Sequence, residues 1–418
     1  MAQPFATPAP ISGSLMDTMP TRLLLAAALF LFILPTNHTM APRMVLLFAL
    51  LVTAVVAIRK FGMPRVPIRW PLLAWASLAL LSLAWSEMPD FSWGEFKKEI
   101  VFGMAAFFGF FILTRGRREL QLWLHIAIAS LVTTMILGLA NYWRLQGYPE
   151  PWNIVHGYAS YSTYLATAAP IIILWLALAG RRLRLAGYPL VAAYLFVAYL
   201  LGNRMFWVSV AGALAVFAAL FAWRWRNQRT RLRNGLVPLL AGILVCGALF
   251  VLVANQKPVD YTHTARDASV SKHLVGTFTK SERLYMWSFW VDRIQERPWT
   301  GVGFGRDLPH WVYEKPKDWP DLYFAHAHNL VLDYGAQLGI PGILVLLWLF
   351  GAIAARFWRY ARSPDETLFL VGATGLSLVL AFFSKNLTDE LFWRTDALVF
   401  WSFTGILLGY GEHRAKKL

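Results

Sequence analysis

Apolar runs recur along almost the whole chain. They fall near 22–35, 44–58, 70–85, 100–113, 120–140, 161–179, 188–202, 205–222, 236–253, 340–357, 368–384 and 397–410. A straight crossing of a bilayer wants about 20 residues, a length the shorter runs gain from flanking aromatic and polar positions. The pattern predicts about 12 transmembrane helices. Short polar connectors separate them, except between 254 and 328, where one long polar loop intervenes. Inside that loop Leu284, Trp287, Trp290, Val291 and Ile294 recur at helical spacing, with Ser281 and Glu282 at the start and Pro298 as a stop. That spacing predicts an amphipathic helix over 282–296 lying on the membrane surface. The chain divides into a tail at 1–20, nine helices over 21–253, the loop over 254–339, three helices over 340–410 and a short tail at 411–418. The expected fold class is an all-α polytopic membrane protein.

Composition agrees. Of 418 residues 57% are apolar and only 15% charged, where a soluble domain carries about a quarter charged residues. The 20 Trp, 15 Tyr and 29 Phe suit the headgroup level of a bilayer. The net charge of +16 does not point to nucleic acid, because the basic residues sit in short clusters between apolar runs. Anionic lipid headgroups fit that distribution better. Cys246 stands alone, so no intrachain disulfide can form and packing must hold the loop.

The clusters also set orientation. One set of connectors (59–69, 115–118, 181–184, 224–233, 356–362 and 414–417, with Arg22) carries 22 of the 39 Lys and Arg residues; the opposite set carries 7 once the long loop is set aside. Basic connectors stay in the cytoplasm. Both tails are then expected inside and the long loop outside.

Candidate chemistry collects where the loop returns to the membrane, at His326-Ala-His328-Asn329. Two histidines at i, i+2 do not share a helical face, and no Cys or neighbouring carboxylate completes a metal site, so no metal is expected. Arg204 lies between two apolar runs, where it either snorkels to close a hairpin or clamps an anion with its planar fork. Arg283 opens the amphipathic helix, where a cation is not favoured by the helix dipole. The stretch Pro298-Trp-Thr-Gly-Val-Gly-Phe-Gly-Arg306 has three glycines at alternate positions, which reads as a tight turn that lets backbones pass closely. Lys385-Asn-Leu-Thr-Asp389 forms a short outward connector, read either as a solvated turn or as part of a site. His326, Asn329, Arg306, Lys385 and Asp389 are the secondary candidates.

At these positions the sequence resembles the O-antigen ligase and polymerase superfamily of bacterial envelopes. His328-Asn329, nine residues, Gly339, two residues and Gly342 fit its pattern, as do Gly202-Asn-Arg204 and Arg283 ahead of Trp287 and Pro298-Trp-Thr-Gly-Val-Gly303. The resemblance implies a C-type glycosyltransferase architecture in the bacterial inner membrane. It implies transfer of a glycan from an undecaprenyl-pyrophosphate carrier to an acceptor at the periplasmic face, without a cofactor. For the ligases the acceptor is lipid A–core; polymerases extend glycan on a second carrier, and related oligosaccharyltransferases modify protein hydroxyls. Those often have an extra C-terminal region, and here the chain ends soon after the last apolar run, so the ligase is the expected member. In this reading His328 is the base, and Arg204 and Arg283 meet the pyrophosphate. The rival class, a lipid or polysaccharide transporter, predicts ionisable groups at mid-span or paired half-chain repeats; only His125 lies deep in an apolar run.

Overall fold

The structure, a computed structural model, describes residues 20–145, 151–255, 280–317 and 326–418. All but the last residue of the N-terminal tail expected at 1–20, and residues 256–279 and 318–325 of the expected loop, lie outside the described residues.

Each apolar run is helical. The helices are α1 (Leu25–Ile33), α2 (Met40–Phe61), α3 (Arg69–Leu81), α4 (Pro89–Glu95), α5 (Phe102–Leu113), α6 (Arg117–Arg144), α7 (Tyr158–Leu178), α8 (Arg181–Leu200), α9 (Arg204–Trp225), α10 (Arg229–Ala254), α11 (Lys280–Glu296), α12 (Leu308–Val312), α13 (Leu330–Ala361), α14 (Glu366–Asn386) and α15 (Arg394–Ala415). A π-helical segment, Phe96–Val101, joins α4 to α5. Among the described residues eight helices are long and apolar enough to cross a membrane: α2, α6, α7, α8, α9, α10, α13 and α14. The protein is therefore a multi-pass membrane protein. The other four predicted runs fold as α1, α3, α5 and α15. The first three are short, and α15 carries Asp396 and Glu412 at its ends, so eight crossings rather than twelve follow from length and composition alone.

Helices pair along close-packed seams: α5 with α15, α9 with α10 and α14, α14 with α7 and α13. In lipid such seams are held by van der Waals packing, since burial drives little once the helices are inserted. A knot of aromatic rings fixes the end that carries the candidate site. Phe392 is 2% exposed, and its ring lies 5.4–6.0 Å from those of Trp75, Phe350, Phe400 and Trp401 and from Phe382 at 5.9 Å. This one side chain, drawn from the connector between α14 and α15, pins that connector onto four helices.

The cation-rich connectors meet at the other end. Arg224 donates to the carbonyls of Ser363 and Pro364 at 2.5 and 2.6 Å, Arg414 pairs with Asp365 at 2.6 Å, and Arg118 reaches Thr21. Sequence positions grouped only by charge are thus joined in space.

One expectation needs correction. The loop helix α11 buries Met286, Trp290 and Ile294, whereas Leu284 and Val291 are 54% and 38% exposed. Its inner face is rotated from the one the spacing suggested, because it packs on α13 and on Ala327 rather than standing alone on a surface.

Candidate functional site

Helix α13 is broken, and the break builds the site. Gly339 has φ +66°, and a Cβ there would meet the Pro298 carbonyl oxygen at 2.4 Å. The backbone opened by this kink is satisfied from the glycine-rich turn. Ile340 N donates to Pro298 O at 2.7 Å, Gly303 N to Gln337 O at 2.9 Å and Val302 N to Ala336 O at 3.2 Å. Gly301, at φ +59°, lies against the Gln337 carbonyl, 2.3 Å from where a Cβ would stand. The alternate glycines are therefore a close-approach turn, as their spacing suggests, docked on the helix rather than wrapped round a phosphate.

This docking delivers Arg306. Its side chain is almost fully buried, its Nε donates to Glu390, and its Nη2 lies 2.7 Å from His326 Nε2. A guanidinium only donates, so His326 Nε2 accepts and the ring proton sits on Nδ1. Burial, then the Arg306 charge, then His328 push the His326 pKa well below the ordinary histidine value. His326 is thus a fixed neutral ring. Burial would also lower the Arg306 guanidinium, but Glu390 and Asp307 reverse that and hold it above its usual value. Burial raises Glu390 to about 7 against the opposing pull of Arg306.

Asn329 caps α13. Its Oδ1 accepts from Val331 N and Leu332 N at 3.0 and 3.2 Å, and its Nδ2 donates to Leu387 O at 3.2 Å. Such a cap satisfies amide donors that the first helical turn leaves open. Ala327, 1% exposed, packs against Met286, Trp290 and Ile294 of α11. With Asn329 bound to the helix and Ala327 wedged under α11, His328 takes a left-handed backbone at φ +48°. Its ring lies against that of His326, tilted by 37° with centroids 3.8 Å apart, and it remains half-buried. A left-handed conformation costs a non-glycine residue of order 1–3 kcal/mol and persists where its surroundings dictate it. The two histidines meet because this segment is not a helix.

Lys385, 0% exposed, pairs with Asp389. That excludes the solvated-turn reading for this connector. Arg283, half-buried, lies within electrostatic reach of Tyr158 and Lys385, and burial lowers its guanidinium below the usual value. Arg204 begins α9, capped by Asn203, and its Nη2 donates to the Ala254 carbonyl at 3.1 Å, closing the α9–α10 hairpin. One turn further along α9, Ser209 accepts from Ser384, the neighbour of Lys385. His326, His328, Asn329, Arg306, Lys385, Asp389 and Arg283 are thus brought together at one bundle end. Arg204 stands at the same end, with its hydrogen bond directed to Ala254 rather than to a histidine.

Apart from Asp389, sequence reading missed the acids. Glu390 clamps Arg306. Glu95 Oε2 accepts from Trp393 Nε1 at 3.0 Å, and Asp333 accepts from Gln337, whose Oε1 in turn holds Gly305 N at 2.8 Å. Glu95 and Glu99 are 3% and 4% exposed; their i, i+4 spacing beside an apolar run was the available signal. Among the described residues no three His, Cys, Asp or Glu side chains converge as a metal site.

Known proteins resemble this chain over part of its length. An O-antigen ligase from Salmonella typhimurium is 29% identical over 181 residues, which span 41% of this chain and 40% of that protein. A general O-oligosaccharyltransferase from Acinetobacter baylyi is 28% identical over 174 residues, 39% of this chain and 28% of that protein. The chain thus spans well under half the length of each relative. The family model for O-antigen ligase matches residues 189–347, from within α8 through the kink of α13. That segment, which holds Arg204, Arg283, Arg306, His326 and His328, is where the chain is similar to the O-antigen ligase family.

Proposed function

We propose that the protein is an O-antigen ligase of the bacterial inner membrane, moving a glycan from undecaprenyl pyrophosphate to a hydroxyl of lipid A–core at the periplasmic face. The observation that carries this reading is the close ring contact of a half-buried His328 with a His326 locked neutral by Arg306. His328 takes the proton of the acceptor hydroxyl as its oxygen bonds to the anomeric carbon. The bond from that carbon to the pyrophosphate breaks, and the carrier diphosphate leaves with the electron pair, so the anomeric centre inverts. A neutral imidazole near pH 7 suits that role. Arg204 and Arg283 meet the negative charge of the diphosphate with fixed planar donors. The twelve apolar helices would then all cross the membrane, with both tails in the cytoplasm. The collection of arginine-rich connectors at the end away from the histidines supports that orientation.

The similarity to a general O-oligosaccharyltransferase favours a second reading, in which the acceptor is a protein hydroxyl. Purified protein, supplied with polyprenyl-pyrophosphate-linked glycan and either lipid A–core or an acceptor protein, separates the two. A glycosylated lipid A–core supports the ligase; glycan on the protein alone overturns it. No product with either acceptor removes both readings.

A further inference from the structure

A second group of cations lies at the same end and has no part in the chemistry above. Three helices begin there: α2 at Met40, α7 at Tyr158 and α15 at Arg394. Arg43, in the first turn of α2, is 6% exposed. Its Nη1 donates to the Leu34 carbonyl at 3.3 Å and to Thr395 Oγ1 at 2.7 Å. The Thr395 hydroxyl, which accepts from Arg43, also lies 3.2 Å from His156 Nε2 in hydrogen-bond contact. Burial, followed by the charges of Arg43, His38 and Arg394, brings the His156 pKa down to about 4. His38 and Arg394 stand exposed at the rim.

The guanidinium groups of Arg43 and Arg394 and the N-termini of α2 and α7 all add positive field here. Helix N-termini favour anions, and a cation in the first turn opposes the dipole. The first turns of α2 and α7 hold no acid, and Asp396 in the first turn of α15 is engaged by Ser160 and Lys385. Among the described residues no carboxylate pairs with Arg43, and its buried Nε has no hydrogen-bond partner. A buried charge is retained only when something meets it. His38, His156 and Arg394 also hold left-handed backbone, at φ +58°, +63° and +42°, three of the five such non-glycine residues among the described ones. The other two, His328 and Glu390, belong to the site above. Trp393 touches both groups, its ring lying 3.7 Å from the Arg394 guanidinium and 4.6 Å from that of Arg306.

We propose that Arg43, His156, Arg394 and His38 form a second anion site, which takes a phosphate monoester on the acceptor glycolipid while Arg204 and Arg283 take the donor diphosphate. The Arg43 Nε supplies a buried donor, the half-buried His156 ring lies beside it through Thr395, and Arg394 and His38 close over the rim. Naming the acceptor rests on the ligase reading; the anion site itself does not.

The test uses the purified full chain, lipid A–core, the same glycolipid with its phosphates removed, and phosphatidylglycerol as competitor. Binding is measured directly, apart from turnover. The wild type should bind the phosphorylated form about tenfold more tightly than the dephosphorylated one, the scale of one or two charge-assisted hydrogen bonds. Arg394→Gln and Arg43→Gln should bring that ratio near one, and the same ratio of KM values should collapse with it. Arg394 is exposed, so its variant carries the test if the buried Arg43→Gln does not fold. Equal binding of both glycolipid forms by the wild type overturns the site. Equal competition by phosphatidylglycerol makes it a site for bilayer phospholipid and overturns the acceptor assignment. If no ligated product forms, the ligase reading falls, while the binding ratio still decides whether the anion site exists.

Discussion

Arg306 Nη2 lies 2.7 Å from Nε2 of His326, and both side chains are buried. A cation against an imidazole is tolerated only if the ring presents a lone pair, so this contact fixes one tautomer and one charge state. Glu390 holds the far side of the same guanidinium. The result is a rigid neutral platform for His328. Replacing Arg306 by Lys removes the fork that spans Glu390 and His326. Transfer should fall by about 10–100-fold, the scale of a misplaced reacting group, with donor binding preserved. Arg306→Lys at wild-type kcat would show that the platform does not matter.

The two buried partners of Arg306 give opposite pH signatures. Glu390 titrates near 7 in the folded protein and near 4.5 unfolded, so the folded state binds the extra proton and stability falls as pH rises through that window. His326 titrates well below 6.5 when folded, so the unfolded state binds more protons below 6.5 and stability rises with pH there. Relative to the wild type, the melting temperature of Glu390→Gln should climb between about pH 4.5 and 7. That of His326→Gln should decline as pH approaches 6.5. Parallel curves for the two variants would contradict the assignment.

The kink of α13 is testable within one helix. Gly339→Ala puts a Cβ against the Pro298 carbonyl at a left-handed position and should cost on the order of 2 kcal/mol or more. Gly351→Ala, later in the same helix with open space at its Cβ, should be neutral or stabilising by up to about 1 kcal/mol. Thermal unfolding of the two in the same detergent decides between them. Equal effects would mean that the turn at 298–305 does not depend on the kink.

Asn329 joins the histidine segment to two helices. Asn329→Ala removes the cap of α13 and the bond to Leu387, a loss of about 1 kcal/mol for the cap, and it frees His328 to leave its strained backbone. Asn329→Asp keeps the cap acceptor and loses the donor. Stability should rank wild type, Asp, Ala, and transfer should follow the same order; an Ala variant as active as the wild type would uncouple the cap from the chemistry.

Much of this was readable in the residues. Lipid exposes apolar side chains on helix after helix, so runs such as 44–58 and 205–222 announce themselves. The spacing from His328 through Gly339 to Gly342 is legible because only glycine fits the crowded, left-handed kink at 339. The buried charges were not legible. Glu99 and Arg43 adjoin apolar runs inside continuous helical stretches, and the partner of Arg43 comes from a distant segment. Thr395, the partner of Arg43, is 352 positions distant. Lys385 misled for the same reason, since only the tertiary packing of α14 removes it from water. The inner face of α11 was misread because Met286 is its anchor, and the choice between Met286 and Leu284 is made by α13.

The most direct measurement is single-turnover transfer from polyprenyl-pyrophosphate-linked glycan to lipid A–core by purified His328→Gln, with donor binding measured on the same sample. The account predicts a rate lower by about 10²–10⁴-fold and donor affinity close to that of the wild type. Transfer at the wild-type rate by His328→Gln would contradict it.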